Sequence, residues 1–491
     1  MKYLLAALAA IVLAGCGQVV PNTPQPLALV PYPQTVQRHD GALTLAKSVK
    51  LVVAPDAPNA KRAAKALLSR LDLRNAPGAT TRITLRLIDA PELGADGYRL
   101  TVTDNVELSA NTDIGLFYAV QTLRQLLPVK PDDAYRLPHV AITDVPSYAW
   151  RGSSVDVARS FLPITYLKKH IDRMAFFKLN RLHLHLTDDQ GWRIEIKKHP
   201  RLTEIGGASA VEGGRTGFYT QAELKDLVAY AKARGVIIVP EVDLPGHTQA
   251  MIAAYNKLAC DDVTNLDTYS GIEVGFSKLC MTKPDVIYPF VRDVLKEVTA
   301  IFPSQYIHIG GDEIKDPGYD GFVTRAAQIV EDLGRTPIVW EEGSVAELPT
   351  DALLQLWNDD YAIADAVKQG HQLILSPCSY MYIDHANYPG QPHTATWCDK
   401  DGVPLARVYS FNPQSFPAAI GVEGALWSER VHTNATADNR LWPRLAAVAE
   451  VAWTPKSQRD YTSFTERMGS MRARLDAFGI HYYPDPDLGW Q

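Results

Sequence analysis

The chain lacks the features that would tie it to nucleic acid, to a structural metal or to a bilayer along its length. Lys and Arg number 49 against 55 Asp and Glu, a net charge of -6, and the basic residues are scattered rather than gathered into a tract. A polyanionic partner therefore has no footprint to bind. No Cys-x-x-Cys and no His-x-x-x-His spacing occurs, so a structural zinc has no ligand pattern. Cysteine is scarce, five in 491 residues. The apolar run from Leu4 to Leu13 is shorter than the roughly 20 residues a spanning helix needs. What is present is a globular composition, 46% hydrophobic and 21% charged, in a chain longer than one core usually serves, so two domains are expected.

Met1-Lys2-Tyr3 and the apolar stretch behind it read as a secretion signal. Its end, Leu13-Ala14-Gly15-Cys16, resembles the lipobox of bacterial lipoproteins. That implies a signal over residues 1–16, with Cys16 the lipidated first residue of the mature chain; an ordinary signal peptide cut nearby is the alternative. Gly17 in place of Asp is similar to the outer-membrane sorting pattern. The expected location is the bacterial cell envelope, as an outer-membrane lipoprotein facing periplasm or surface. Residues 17–26, with Pro21, Pro24 and Pro26, suit an extended tether. Setting Cys16 aside leaves Cys260, Cys280, Cys378 and Cys398, and an even number in an exported chain favours disulfides. The local pairings Cys260–Cys280 and Cys378–Cys398 would each staple one long loop; two other connectivities are open.

Residues 27–145 read as a small α+β domain. Candidate strands are Leu51-Val52-Val53, Ile83 to Leu87 and Tyr98 to Val102, with helices over Ala60 to Leu71 and Gly115 to Leu127. Nothing in it collects acids, histidines and aromatics, so it is expected to be a scaffold or flank. From residue 146 the rhythm becomes β-α. Eight candidate strands appear: Ser154 to Asp156, Arg181 to Leu186, Val236 to Val239, Tyr306 to Ile309, Pro337 to Trp340, Leu353 to Trp357, Gln372 to Leu375 and Gly421 to Trp427. Amphipathic stretches such as Ile164 to Lys178, Gln221 to Arg234, Asp285 to Phe302 and Phe322 to Leu333 separate most of them, and a last helix is expected over Arg440 to Ala452. The fold class is α/β, a (β/α)8 TIM barrel over residues 146–491 preceded by the small domain; an open doubly wound sheet fits the same alternation.

Unusual side chains fall at the C-terminal ends of those strands, where such a barrel builds its site. They are Asp188 and Asp189; Glu241, Asp243 and His247; Asp312 and Glu313; Trp340-Glu341-Glu342; Trp357-Asn358-Asp359; Tyr380, Tyr382 and Asp384; and Trp427 with Glu429. Each alone has a dull explanation as packing or as the next helix's cap. At the centre stands His308-Ile309-Gly310-Gly311-Asp312-Glu313. Its glycines allow unusual backbone angles and a close approach, and two adjacent acids repel, so the pKa of one should rise. Acids interspersed with Trp and Tyr suit carbohydrate, whose CH faces stack on rings while hydroxyls meet charged groups. Adjacent carboxylates need not face each other across a sugar ring, which points to a route in which the substrate's own 2-acetamido group attacks C1.

Those residues, with Arg151-Gly152, Leu182-His183-Leu184-His185-Leu186-Thr187-Asp188-Asp189-Gln190-Gly191-Trp192-Arg193 and Pro240-Glu241-Val242-Asp243-Leu244-Pro245-Gly246-His247, resemble the family-20 glycoside hydrolases, the β-N-acetylhexosaminidases. The resemblance implies a retaining exo-hydrolase acting on terminal N-acetylhexosamine, in glycans or chito-oligosaccharides, with no metal or organic cofactor. By the same resemblance Glu313 is the general acid/base and Asp312 orients the acetamide, whose oxygen Tyr382 holds. Trp340, Trp357 and Trp427 wall the pocket, while Arg151, Asp384 and Glu429 bind outer hydroxyls. His247 and either Asp188 or Asp189 support the acid. Three alternatives stand beside it: disaccharide release of the lacto-N-biosidase type, a glycan-binding surface lipoprotein without catalysis, and a metal-dependent hydrolase using Asp188, Asp189, His247 and Asp312.

Overall fold

A computed structural model describes residues 27–490, apart from 132 and 359–362. The secretion signal, Cys16, the tether and Asp359 lie outside the described residues. Eight parallel strands close into a barrel: Trp150–Asp156, Arg181–His185, Ile237–Glu241, Tyr306–His308, Thr336–Trp340, Leu353–Leu356, Gln372–Leu375 and Ala419–Leu426. The last pairs back on the first, Gly421 opposite Trp150 through Leu426 opposite Val155. All eight expected strands are present, and closure removes the open-sheet alternative. Helices cover the outside, so the strands are buried on both faces and read as continuous apolar runs, as in Thr336–Trp340.

The helices follow from sequence periodicity. In Pro284–Ile301, Ile287, Val291, Val294, Leu295 and Val298 form the buried stripe. Gln221–Lys232 starts at a reciprocal cap, in which Thr220 accepts from the Glu223 backbone and Glu223 reaches back to Thr220. The expected final helix over Arg440 to Ala452 is two helices, Asn434–Leu441 and Arg444–Trp453. Pro443 has no N–H to continue the ladder, so the chain restarts there. Among the described residues, no helix is long and apolar enough to cross a membrane.

The N-terminal unit is a seven-stranded sheet, ordered Thr35–Thr44, Arg136–Asp144, Tyr98–Val102, Val106–Ala110, Arg82–Leu87, Ser48–Val53, Arg74–Asn75. Helices Pro58–Arg70 and Asp113–Leu126 share its core. Sequence reading found three of these strands. The outer strand Thr35–Thr44 is largely exposed and polar, so it carries no apolar alternation to detect. Val106–Ala110, by contrast, alternates buried and exposed residues and was detectable. The sheet's last strand ends at Asp144 and the barrel's first begins at Trp150.

The two units are joined at the N-terminal end of the barrel strands. Trp453 and Ala175 enter the core of the sheet unit. Lys178 Nζ lies 2.9 Å from Asp144 Oδ2, and the Trp453 indole donates to Asp144 Oδ1 at 2.8 Å. Because barrel chemistry occupies the opposite end, the sheet unit is a flank.

Candidate active site

At the C-terminal end of the strands a pocket of about 530 Å³ is lined by Asp312, Glu313, Trp357, Tyr382, Asp384, Trp427, Glu429 and Arg159, with Trp397 and Ile272 among the residues at its mouth. Backbone geometry sets its centre. Gly310 has φ +68° and Gly311 φ +104°, a region open to glycine but not to most side chains. A Cβ on Gly310 would sit 1.7 Å from Asp243 Oδ1. Asp243 accepts the Gly311 N–H at 3.2 Å, and Tyr319 donates its hydroxyl to the Gly311 carbonyl. Glu313 itself has φ +57°, and His247 φ +53°; both are non-glycine residues held in a costly conformation by their surroundings, as is common at functional sites.

The two acids meet His247. Its Nε2 is 3.3 Å from Glu313 Oε2 and 3.6 Å from Asp312 Oδ2. On its other side Nδ1 is 3.3 Å from Asp188 Oδ1, and Asp188 also bonds His185 Nε2 at 2.7 Å and Arg159 Nη2 at 2.9 Å. Burial opposes charge on the His247 ring, but Asp188 and Asp312 outweigh it and hold the imidazole well above its usual pKa. Asp188 is likewise buried, yet Arg159 and His247 keep its carboxyl well below the ordinary range. Both neighbouring aspartates face His247 Nδ1, Asp188 at 3.3 Å and Asp189 Oδ2 at 3.7 Å. Asp188 is the nearer and links His247 to His185 and Arg159, while Asp189 also accepts the Gln249 N–H at 3.0 Å and the Ser277 hydroxyl.

Of the adjacent acids, the carboxyl that rises is Asp312. Burial is the main cause, with Asp243 next; Glu342 and Glu313 add to it. Mutual repulsion of the pair, the cause expected from sequence, is thus a minor part. Asp312 Oδ1 is buried and has no hydrogen-bond partner.

The aromatic wall is built as follows. Trp357 and Tyr382 stack with centroids 6.3 Å apart, and Tyr382 meets Trp427 at 5.8 Å. The Trp357 indole donates to Glu342 Oε2 at 2.9 Å. Trp340 lies deeper: it is 1% exposed, donates to Glu241 Oε1 at 3.0 Å and supports Trp427 from behind at 6.0 Å. Beside it His183, His185 and His308 converge on the buried Glu241. Also in the pocket lining, Glu429 is 3.4 Å from Arg159 Nε; burial pushes its carboxyl up to about 7 against the pull of that arginine. Both expected disulfides are formed, Cys260–Cys280 and Cys378–Cys398. Cys398 follows Trp397 directly, so the second bond pins that 60% exposed ring at the pocket mouth.

Arg151 is a correction. It is the second residue of its strand, at the end away from the pocket, and its guanidinium bonds the Lys178 and Tyr148 carbonyls at 2.9 and 2.8 Å and Asp96 at 2.7 Å. The arginine in the pocket is Arg159, three residues past the strand's C-terminal end. That position was the available signal, since barrel sites form after strands, not at their starts. Arg159→Ala is therefore expected to raise KM by about tenfold or more, as loss of a buried charged contact to substrate does. Arg151→Ala should leave KM alone and lower Tm; the paired kinetic and melting measurements check this.

Among the described residues four acid-histidine groups bring potential ligand atoms within 4.8 Å, and two of them contain His247: Asp188, Asp189 and His247, and Asp243, His247 and Asp312. In both the positive charge is already supplied, by Arg159 on Asp188 and by the His247 ring held in its charged form, so a dication would meet like charge.

The arrangement joins an acid at a pocket rim, a buried unpartnered carboxylate oxygen and three stacking rings, and the chain comparisons agree with it. The model of the glycosyl hydrolase family 20 catalytic domain matches residues 148–321 and 318–456, and that of the family's domain 2 matches residues 27–145. The chain belongs to glycoside hydrolase family 20, as a β-N-acetylhexosaminidase. It is similar to the β-N-acetylhexosaminidase of Cellulomonas fimi, 35% identical over 486 residues, covering 94% of this chain and 97% of that one. Among solved family-20 structures it is similar to the β-N-acetylhexosaminidase of Streptomyces coelicolor A3(2), with TM-score 0.88, 36% identity and 95% and 99% of the two chains covered. The N-acetyl-β-hexosaminidase of Streptomyces plicatus gives TM-score 0.88 and 36% identity over 96% of this chain and 99% of that one. It has been solved with thio-NAglucal and, as a mutant, with the product GlcNAc.

Proposed function

We propose that this family-20 enzyme removes terminal non-reducing N-acetylhexosamine from glycans or chito-oligosaccharides with retention, the sugar's acetamide acting as nucleophile. One observation carries the reading. Asp312 Oδ1 is buried and unpartnered beside Glu313, inside a cage of Trp357, Tyr382 and Trp427. A buried acceptor without a donor is costly unless substrate supplies one, and an acetamide N–H is such a donor, with its methyl group against the rings.

The steps follow from the residues. Asp312 accepts the N–H, which turns the carbonyl oxygen toward C1 and offsets the positive charge of the oxazolinium-type ring that forms. Glu313 gives its proton to the leaving oxygen, then takes one from the water that opens the ring at C1. His247, held charged by Asp188, lies against both acids and fixes their position. Arg159 and Glu429, paired in the pocket lining, suit the outer hydroxyls of the terminal sugar.

Aryl β-N-acetylglucosaminide should be cleaved, and the matching aryl β-glucoside, which has no amide to participate, should not. Comparable turnover of both would show that a protein group is the nucleophile. EDTA should leave the rate unchanged; a loss restored by a divalent cation would return the metal-dependent reading.

The sequence Leu13-Ala14-Gly15-Cys16 supports placing the enzyme on the outer membrane through lipid. Cys16→Ala should abolish incorporation of labelled fatty acid and move the protein out of the membrane fraction.

A further inference from the structure

In the run Trp340-Glu341-Glu342, neither acid takes part in the proposed steps. Strand Thr336–Trp340 pairs in parallel with Leu353–Leu356, Trp340 opposite Gln355. Two residues beyond that pair, at the ends of neighbouring strands, Glu342 meets Trp357. The two acids divide the hold on this tryptophan. Glu341 takes its backbone: Oε2 accepts the Trp357 N–H at 2.9 Å and Oε1 the Asn358 N–H at 2.8 Å. The Cys378 N–H, 2.8 Å from the Trp357 carbonyl, fixes the other side of the residue. Glu342 takes the ring, its Oε2 accepting the indole N–H at 2.9 Å. An indole has one N–H and no acceptor, so no other hydrogen bond fixes the ring. Its aromatic neighbours are looser: Tyr382 stacks at 6.3 Å and Trp397 meets it edge-on at 5.8 Å, and Trp397 is itself 60% exposed. With the backbone held, rotation about the side-chain bonds is what remains, and the bond to Glu342 selects it.

The position is unfavourable for an acid. Glu342 is half-buried; burial pushes its carboxyl above the ordinary range, and the charge of Glu313 adds to that. Asp312 feels Glu342 in turn. A further carboxylate beside the catalytic pair opposes ionisation of all three, and the Trp357 indole N–H is the contact that offsets this most.

We infer that Glu342 sets the tilt of the Trp357 ring, and through it the width of the cage around the acetamide methyl group, so that it is a positioning residue that makes the site selective for N-acetyl over larger N-acyl groups. This rests on the proposed function and deepens it. Trp357 lines the pocket and Glu342 does not, so Glu342 acts through the ring and not on the substrate.

The test measures kcat/KM on the full chain for 4-nitrophenyl 2-acylamido-2-deoxy-β-glucosides carrying acetyl, propionyl or butyryl. The parent should prefer acetyl to propionyl by about tenfold or more, the scale on which an apolar pocket reads one methylene, and butyryl should fall further. Glu342→Leu, similar in size but with no acceptor, should lower kcat on the acetyl compound by about tenfold and bring the acetyl-to-propionyl ratio within about threefold. Glu342→Gln, whose amide oxygen can still accept the indole N–H, should keep the parent ratio. A merely structural role would lower all three substrates by one factor and leave the ratio alone. Should the leucine variant not fold, Glu342→Asp takes its place: it keeps the charge but stops one methylene short of the indole, and should lower the ratio by about threefold. A ratio unchanged in the leucine or aspartate variant, lost as fully in the glutamine one, or already near one in the parent overturns the inference and leaves the proposed function standing. If the acetyl compound itself is inert, the proposed function fails.

Discussion

Glu313→Gln is expected to lower turnover of glycosides with poor leaving groups by about 10²-fold or more, or about 2.7 kcal/mol of transition-state stabilisation. Aryl glycosides whose phenols leave without protonation should lose far less. The amide matches the carboxyl in size and can keep its place beside His247 Nε2, 3.3 Å from the native Oε2, so the fold should be unaffected and the loss chemical. Rates over a series of leaving-group pKa values check this: the variant should show a steeper dependence than the parent. Equal losses at both ends of the series would remove Glu313 from the role of acid.

Asp312→Ala should cost about 10²-fold in kcat, because an acetamide without its acceptor no longer points its oxygen at C1. The loss should appear in kcat more than in KM, since stacking and outer-hydroxyl contacts remain. The same variant has a readout in stability. The native Asp312 carboxyl is held well above the ordinary carboxylate range by burial and by Asp243, whereas in the unfolded chain it titrates normally. Its contribution to stability is therefore full below the unfolded pKa and is lost as pH rises through the raised native one. Removing it should raise Tm relative to the parent more at pH 8 than at pH 4. A Tm difference independent of pH would mean that Asp312 is an ordinary exposed acid.

The site was legible to the extent that each functional residue follows an apolar strand. Asp312, Glu313, Trp357, Tyr382, Asp384, Trp427 and Glu429 all line the pocket, because strand ends can be read from hydrophobic runs and a barrel gathers such ends. Arg151 misled because a short Arg-Gly pair says nothing about which end of a strand it occupies; register does, and Gly421 opposite Trp150 puts Arg151 near the bottom. Trp340 was expected in the pocket wall, but it is buried behind Trp427 and does not line the pocket, a depth that depends on packing between strands. Trp397 carried no signal. It lies in a loop, and its place at the pocket mouth depends on the bond between Cys378 and Cys398.

The sequence by itself determined the eight-strand alternation, the acid pair with its glycine lead and the family these imply, because all are local: periodicity, backbone permissiveness and residue order need no distant partner. Only the tertiary structure decided that Asp188 lies nearer His247 than Asp189 does and ties it to Arg159, that Arg159 rather than Arg151 enters the pocket, and that Asp312 is the acid whose pKa burial raises. Each of these depends on burial and on charges brought together from different strands, and neither distance nor desolvation is written along a chain until it closes.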